Sequence, residues 1–171
     1  MTLVLIRHFE KPSDGSSNSL SQYGYKNALL LPEWVKSQAY LTLTNNKPLN
    51  QILSVMPHAY KKDNNKHARP METVVPLSVY TGLKLKLAHA SSELVEMCRD
   101  LGSDDGSMLI SWHSGDIYKL MVKLGKEFEF SDEDLETLGG MDWDKEDFTS
   151  VIVIRKGGYK FHEKVLPRVE E

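Results

Sequence analysis

Cysteine is almost absent from this chain of 171 residues, which contains only Cys98. A lone cysteine excludes an internal disulfide, and the sequence has no clustered Cys and His pattern of the kind that binds zinc. No apolar run approaches the roughly 18 residues that a membrane-spanning helix needs. The first residues form a strand pattern without the charged segment and cleavage site of a signal peptide. We therefore expect a cytoplasmic protein that holds no metal and binds no membrane.

An excess of positive charge is also missing. The chain has 21 Lys and Arg against 24 Asp and Glu, a formal net charge of -3. This balance argues against general binding to nucleic acid, so any anion site must be a local concentration of cations. Hydrophobic residues make up 40% of the chain, enough for a substantial core. The length suits a single domain over residues 1–171.

Strand-like apolar runs alternate with helix-like patterns along most of the chain. A polar loop over 57–68 and an acidic segment over 126–147, expected to be irregular surface structure, complete the pattern. Alternation of this kind predicts an α/β fold, here a three-layer αβα sandwich around a mostly parallel sheet. The predicted strands are 2–6, 51–55, 83–88, 108–112, 150–155 and 159–162. The predicted helices are one capped by Ser21, a short one at Pro32, one over 70–80, one capped by Ser91 or Ser92, and one over 117–124.

Cations and imidazoles occur at three places where a strand ends or a helix begins. Arg7 and His8 end the first strand, Arg69 comes just before a helix that starts near Pro70, and His113 follows the strand 108–112. The carboxyl ends of parallel strands lie at one edge of a sheet, where ligands bind. Helix amino termini there add backbone N–H donors. The sequence therefore predicts a pocket for a phosphoryl group.

Four motifs in chain order resemble those of the histidine phosphatase superfamily, whose fold is phosphoglycerate-mutase-like. They are Arg7-His8-Phe9-Glu10, Leu20-Ser21-x-x-Gly24-x-x-Asn27-Ala28, Arg69-Pro70-Met71-Glu72-Thr73 and Trp112-His113-Ser114-Gly115-Asp116-Ile117. The resemblance covers residues 2 to about 120 and becomes loose toward the end of the chain.

The resemblance implies a metal-independent phosphatase that needs no cofactor. His8 would be the nucleophile and would carry the phosphoryl group covalently, while Arg7, Arg69 and His113 would neutralise the transferring phosphoryl oxygens. The substrate would be a small phosphorylated molecule or a phosphoprotein, bearing a phosphomonoester or a phosphohistidine.

The general acid is less well defined by the resemblance. Glu93 stands roughly where one branch of the family has its acid, and Glu96 lies one turn further on. The other branch has Asp directly after the second histidine, where this chain has Ser114; Asp116 follows two residues later. Members that hydrolyse phosphohistidine use no such acid.

Glu10, Lys11 and Ser114 are further candidates for substrate binding. His58, His67, His89 and His162 show no partner pattern and are expected to be solvated.

Phe9 stands where the family generally has a small residue. Its ring would narrow the pocket or stack on substrate if it pointed into the cleft. This departure keeps a rival function open, a non-catalytic module that binds a phospho-ligand or a partner through the same pocket. The oligomeric state is not predicted.

Overall fold

The segments richest in apolar residues form one six-stranded sheet in the computed structural model, which describes residues 1–57, 67–100 and 106–170. The strands are β1 (Thr2–Arg7), β2 (Leu49–Val55), β3 (Leu85–Ala88), β4 (Ser107–Trp112), β5 (Val151–Arg155) and β6 (Gly158–His162). The helices are α1 (Gln22–Ala28), α2 (Leu31–Trp34), α3 (Gln38–Leu43), α4 (Arg69–Thr81), α5 (Ser91–Asp100), α6 (Ile117–Glu127) and α7 (Asp132–Gly139).

The strand order is β3-β2-β4-β1-β5-β6. Strands β3, β2, β4 and β1 pair in parallel, and β5 and β6 continue the sheet antiparallel. The predicted edge strand is therefore β3, and the predicted final hairpin is β5–β6. The mostly parallel α/β sheet is confirmed.

Both faces of the sheet are covered, as the unbroken apolar run of β1 predicts. Leu3 and Leu5 pack into one apolar cluster with residues of α5, α6 and α7. Val4 and Ile6 point the other way, into a second cluster with residues of α1 to α4. Burial on both faces makes β1 rigid and fixes the position of the residues that follow it.

The expectation of irregular structure over 126–147 was wrong in part. Helix α7 lies within this segment, with Ser131 as its N-cap and three acidic residues in its first turn. Carboxylates are favourable there because they face the positive end of the helix dipole. Leu138 and Trp143 are buried among the charged residues. The short helix α3 was also not predicted.

Among the residues that the structure describes, no helix is both long enough and apolar enough to cross a membrane.

Candidate active site

The two predicted histidines follow neighbouring strands at the same edge of the sheet. Arg7 is in register with Trp112, and the backbone N–H of His8 donates to the Trp112 carbonyl at 3.2 Å. His8 and His113 therefore leave the sheet side by side. Their ring centroids are 6.0 Å apart, with the rings nearly perpendicular.

The His8 ring is held in one tautomer. Its Nδ1 lies 2.7 Å from the Phe9 carbonyl oxygen, which can only accept, so Nδ1 carries the proton and donates. The side chain is only 4% exposed, and burial lowers its pKa from 6.5 to about 3. The charges of Arg7 and Arg69 act in the same direction, while the bond to Phe9 opposes them. At neutral pH the ring is uncharged, and its lone pair is on Nε2.

This low pKa has a measurable consequence for stability. Between about pH 6.5 and pH 3, His8 is protonated in the unfolded chain and neutral in the folded one. The free energy of unfolding therefore falls as the pH falls, by roughly 1 kcal/mol per pH unit from this residue. His8→Asn removes the titration, so its stability should decline less between about pH 6.5 and pH 4. Urea titrations of both proteins measure the difference, and parallel declines would contradict the assigned pKa.

The start of α4 is tied directly to the end of β1 through Thr73. The Thr73 hydroxyl accepts from the Phe9 N–H at 3.0 Å and donates to the Arg69 carbonyl at 2.9 Å. One turn of helix therefore connects Arg69 to the residue that follows His8. Glu72 beside it accepts from the Leu20 N–H at 2.7 Å. The spacing of the third motif is explained by these contacts.

His67 belongs to this cluster, which corrects the expectation that it is solvated. The Arg69 Nη2 donates to its Nδ1 at 3.1 Å, since a guanidinium has no acceptor. Its ring lies 6.1 Å from that of His113, again nearly perpendicular. The neutral ring therefore carries its proton on Nε2. No sequence signal beyond the two-residue spacing to Arg69 pointed to this contact. His58, and the basic loop residues 58–66, lie outside the described residues.

Arg7 is placed at the site but is engaged by the loop before β5. Its Nη1 donates to the carbonyls of Asp144, Lys145 and Asp147 at 3.1, 2.6 and 3.2 Å. The guanidinium also lies over the Phe148 ring, 3.9 Å from its centroid. Burial lowers the pKa of Arg7 to about 10, so it stays charged at neutral pH. Its Nε is buried and has no hydrogen-bond partner within the described part of the chain.

Glu10 occupies a tightly bonded position between α1 and the end of the chain. Its carboxylate accepts from the Asn27 side chain at 3.0 Å and from Arg168 Nη2 at 2.7 Å. The backbone is also close here, because a Cβ on Gly24 would lie 2.4 Å from the Glu10 carbonyl oxygen. The second motif thus packs α1 against the segment after His8. Lys11 is exposed, and Ser114 begins the 3-10 turn after His113.

The three candidate acids are placed differently. Glu93 accepts from the His89 N–H at 2.6 Å and so satisfies a donor at the start of α5. Asp116 lines a cavity of about 340 Å³ together with His113, whereas Glu93 is not among the described residues that line it. Glu96 is exposed on α5. Asp116 is therefore the candidate that shares a cavity with His113.

Phe9 does not narrow the pocket. It is fully buried in the apolar cluster on the α1–α4 side of the sheet. The ring therefore points away from the cleft, and the larger side chain at this position is accommodated by the core.

Several solved structures of other proteins are similar to this one. A protein from Agrobacterium tumefaciens, described as the phosphohistidine phosphatase SixA, is 13% identical, with a TM-score of 0.52 over 93% of this chain and 96% of that one. A SixA-type protein from Nakamurella multipartitia, described in the same way, is 15% identical, with a TM-score of 0.50 over 94% and 92%. A mycobacterial glucosyl-3-phosphoglycerate phosphatase is 14% identical, with a TM-score of 0.49 over 96% of each chain.

No family model matches the sequence, and no curated protein sequence matches it significantly. At these identities the structural likeness establishes the architecture of the chain. That architecture agrees with the four motifs quoted above, and it places His8 and His113 together at the edge where the motifs predict a site. The chain therefore has a phosphoglycerate-mutase-like fold, which it shares with the two SixA-type structures.

Proposed function

We propose that the chain is a phosphatase that hydrolyses a phosphomonoester or a phosphohistidine through a covalent phosphohistidine on His8. Nε2 of His8 attacks phosphorus, a new N–P bond forms, and the bond to the leaving group breaks. Water then attacks the phosphohistidine, the N–P bond breaks, and inorganic phosphate leaves. The solved structures described as phosphohistidine phosphatases support this class of reaction.

One observation carries the proposal: the state in which His8 is held. A nucleophilic imidazole needs an unprotonated nitrogen and a fixed ring orientation. The bond from Nδ1 to the Phe9 carbonyl supplies the orientation, and the lowered pKa keeps Nε2 unprotonated. A purely structural histidine needs neither a second imidazole nor two guanidinium groups close by.

The neighbouring cations supply the charge that phosphoryl transfer requires. Arg7 and Arg69 both influence the titration of His8, and so does His113. Positive groups placed before the reaction stabilise the charge that develops on the phosphoryl oxygens. The Arg69–His67 bond restricts the guanidinium beforehand.

The proposal is tested by hydrolysis of p-nitrophenyl phosphate by the purified protein, from about pH 4 to about pH 8. We expect turnover that resists a chelator and is inhibited by vanadate. Absence of turnover with p-nitrophenyl phosphate and with a phosphohistidine peptide would contradict the proposed function.

For substrates with a poor leaving group, we propose Asp116 as the proton donor. Asp116→Asn should lower kcat/KM for an alkyl phosphate by about 10²-fold and have a much smaller effect on p-nitrophenyl phosphate, whose phenolate leaves without a proton. Glu93→Gln is the matched control, because Glu93 bonds to the His89 N–H. If Glu93→Gln gives the leaving-group-dependent loss instead, Asp116 is not the donor.

A specific observation favours the alternative, a non-catalytic module that binds a phospho-ligand. Arg7 Nη1 is already occupied by three carbonyls of the loop before β5. A pocket that keeps one cation engaged would still bind phosphate through Arg69 and His113. Binding of inorganic phosphate with no turnover of any phosphorylated substrate would support this alternative.

A further inference from the structure

The cavity beside His113 is lined by two lysines in addition to the cations proposed to act on the phosphoryl group. Besides Asp116 and His113, its polar lining includes His89, Ser91, Lys119 and Lys123. Val55, Ala90, Trp112 and Leu120 form its apolar part. The two lysines lie on α6, and neither belongs to one of the four motifs.

The lysines form part of a basic stripe on α6. Lys119, Lys123 and Lys126 are exposed and recur at the spacing of one helix face. Like charges four residues apart destabilise a helix by a few tenths of a kcal/mol, so helix stability does not explain the stripe. It also stands out on a chain with a net charge of -3.

The interactions that Lys119 and Lys123 make in the structure are weak enough to be replaced by interactions with a ligand. Lys119 Nζ lies 3.0 Å from Asp116 Oδ1, but 78% of the lysine side chain is exposed. Exposed ion pairs of this kind are typically worth about 0–1 kcal/mol. Lys123 Nζ donates to the neutral Ser91 hydroxyl. An anionic group of a ligand would therefore gain charge-assisted bonds at little cost.

We propose that this cavity binds the leaving-group part of the substrate, and that Lys119 and Lys123 recognise a second anionic group on it. This inference rests on the proposed function, because it takes the reacting phosphoryl group to lie at His8 and His113. The second group is a carboxylate or a second phosphate. The volume of about 340 Å³ is at the lower end of the range for small-molecule sites. The substrate is therefore a small, metabolite-sized phosphomonoester that also carries a carboxylate or a second phosphate.

Binding of stable phosphonates tests this without requiring turnover. We would compare the binding of para-carboxybenzyl phosphonate with that of its para-carbamoyl analogue by calorimetry at fixed pH and ionic strength. The two compounds differ only in the para group, which is charged in the first and neutral in the second. The carboxylate should improve affinity about tenfold, and either Lys119→Met or Lys123→Met should remove most of that preference. A third compound with a second phosphonate in place of the carboxylate shows which of the two anions is preferred.

Lys126→Met is the matched control. It removes the same charge from the same helix, but Lys126 lines a neighbouring cavity and not this one. It should therefore leave the preference for the carboxylate unchanged. An equal loss in all three variants would overturn the proposal, because it would indicate a general effect of charge. An absent preference in the unmodified protein, or tight binding of an acidic phosphopeptide with neither small compound bound, would also overturn it.

Turnover of the matching phosphate esters separates this inference from the function on which it rests. Selective binding without turnover would contradict the phosphatase and keep the anion site. Turnover of both esters with equal kcat/KM would keep the phosphatase and contradict the anion site.

Discussion

Replacing His8 by alanine is expected to lower kcat for p-nitrophenyl phosphate by about 10⁴-fold or more. The reason is that His8 supplies the atom to which phosphorus is transferred, and no other described imidazole has the same environment. His113 is partly exposed, whereas His8 is buried and held by the Phe9 carbonyl. Losing a covalent nucleophile typically removes several orders of magnitude of rate. Steady-state kinetics of the purified variant measure the loss.

His8→Asn controls for damage to the fold. Its side-chain amide can still donate toward the Phe9 carbonyl, so the bond that orients residue 8 is kept while the nucleophile is lost. We expect this variant to remain folded, to bind inorganic phosphate and to be inactive. Undiminished turnover in either variant would refute His8 as the nucleophile.

The second large effect is expected at Arg69. Arg69→Met should lower kcat/KM by about 10²–10³-fold, which is the usual cost of removing one preorganised donor to a developing anion. Burial lowers the pKa of this guanidinium, so the group is held partly away from water, where its charge acts more strongly. The same assay with saturating substrate separates the loss in kcat from that in KM.

Two further variants define the Arg69 result. Arg69→Lys should recover only part of the activity, because an ammonium cannot reproduce the planar fork of donors. Arg99→Met removes an exposed arginine at the far end of α5 and should have no effect. Equal activity of Arg69→Met and the unmodified protein would show that phosphate binding does not depend on Arg69.

The sequence predicted the sheet and the central pair of histidines because both depend on local patterns. Mainly apolar runs form β1 and β4, and their shared direction places Arg7 and His113 at one edge of the sheet. The sequence predicts Ser21 as a helix cap, and in the structure its hydroxyl accepts from the Gly24 N–H. Such features need only neighbouring residues to be understood.

Contacts between distant segments were not predictable in the same way. The bonds from Arg7 to the loop of Asp144 and Asp147 span more than 130 positions, and no pattern in either segment indicates the other. The place of His67 in the site is not predicted because it depends on the orientation of the Arg69 guanidinium, which donates to its ring. Helix α7 is not predicted because most of its residues are polar or acidic, and its two leucines are too few to show a helical spacing. The direction of the Phe9 ring is also not predictable from the sequence, because it depends on the packing of the core around it.

Asp116, Lys119 and Lys123 lie between these two cases. The spacing of the two lysines on α6, and the place of Asp116 just before that helix, are visible in the sequence. Their relation to His113 depends on the 3-10 turn that joins β4 to α6. That turn brings the start of the helix beside the histidine and opens the cavity between α5 and α6. The sequence therefore shows which residues are charged, but only the fold shows that they line a cavity beside His113.

The most direct test of the account is to trap the intermediate. The protein would be mixed with excess substrate, and the reaction would be stopped with base, because phosphohistidine is stable at high pH. The protein would then be digested and its peptides identified by mass spectrometry. We predict one added phosphoryl group on the peptide that contains His8, and none in His8→Asn. Turnover of the same substrate with the phosphoryl group on another residue, or with none trapped at any time after mixing, would contradict the central claim.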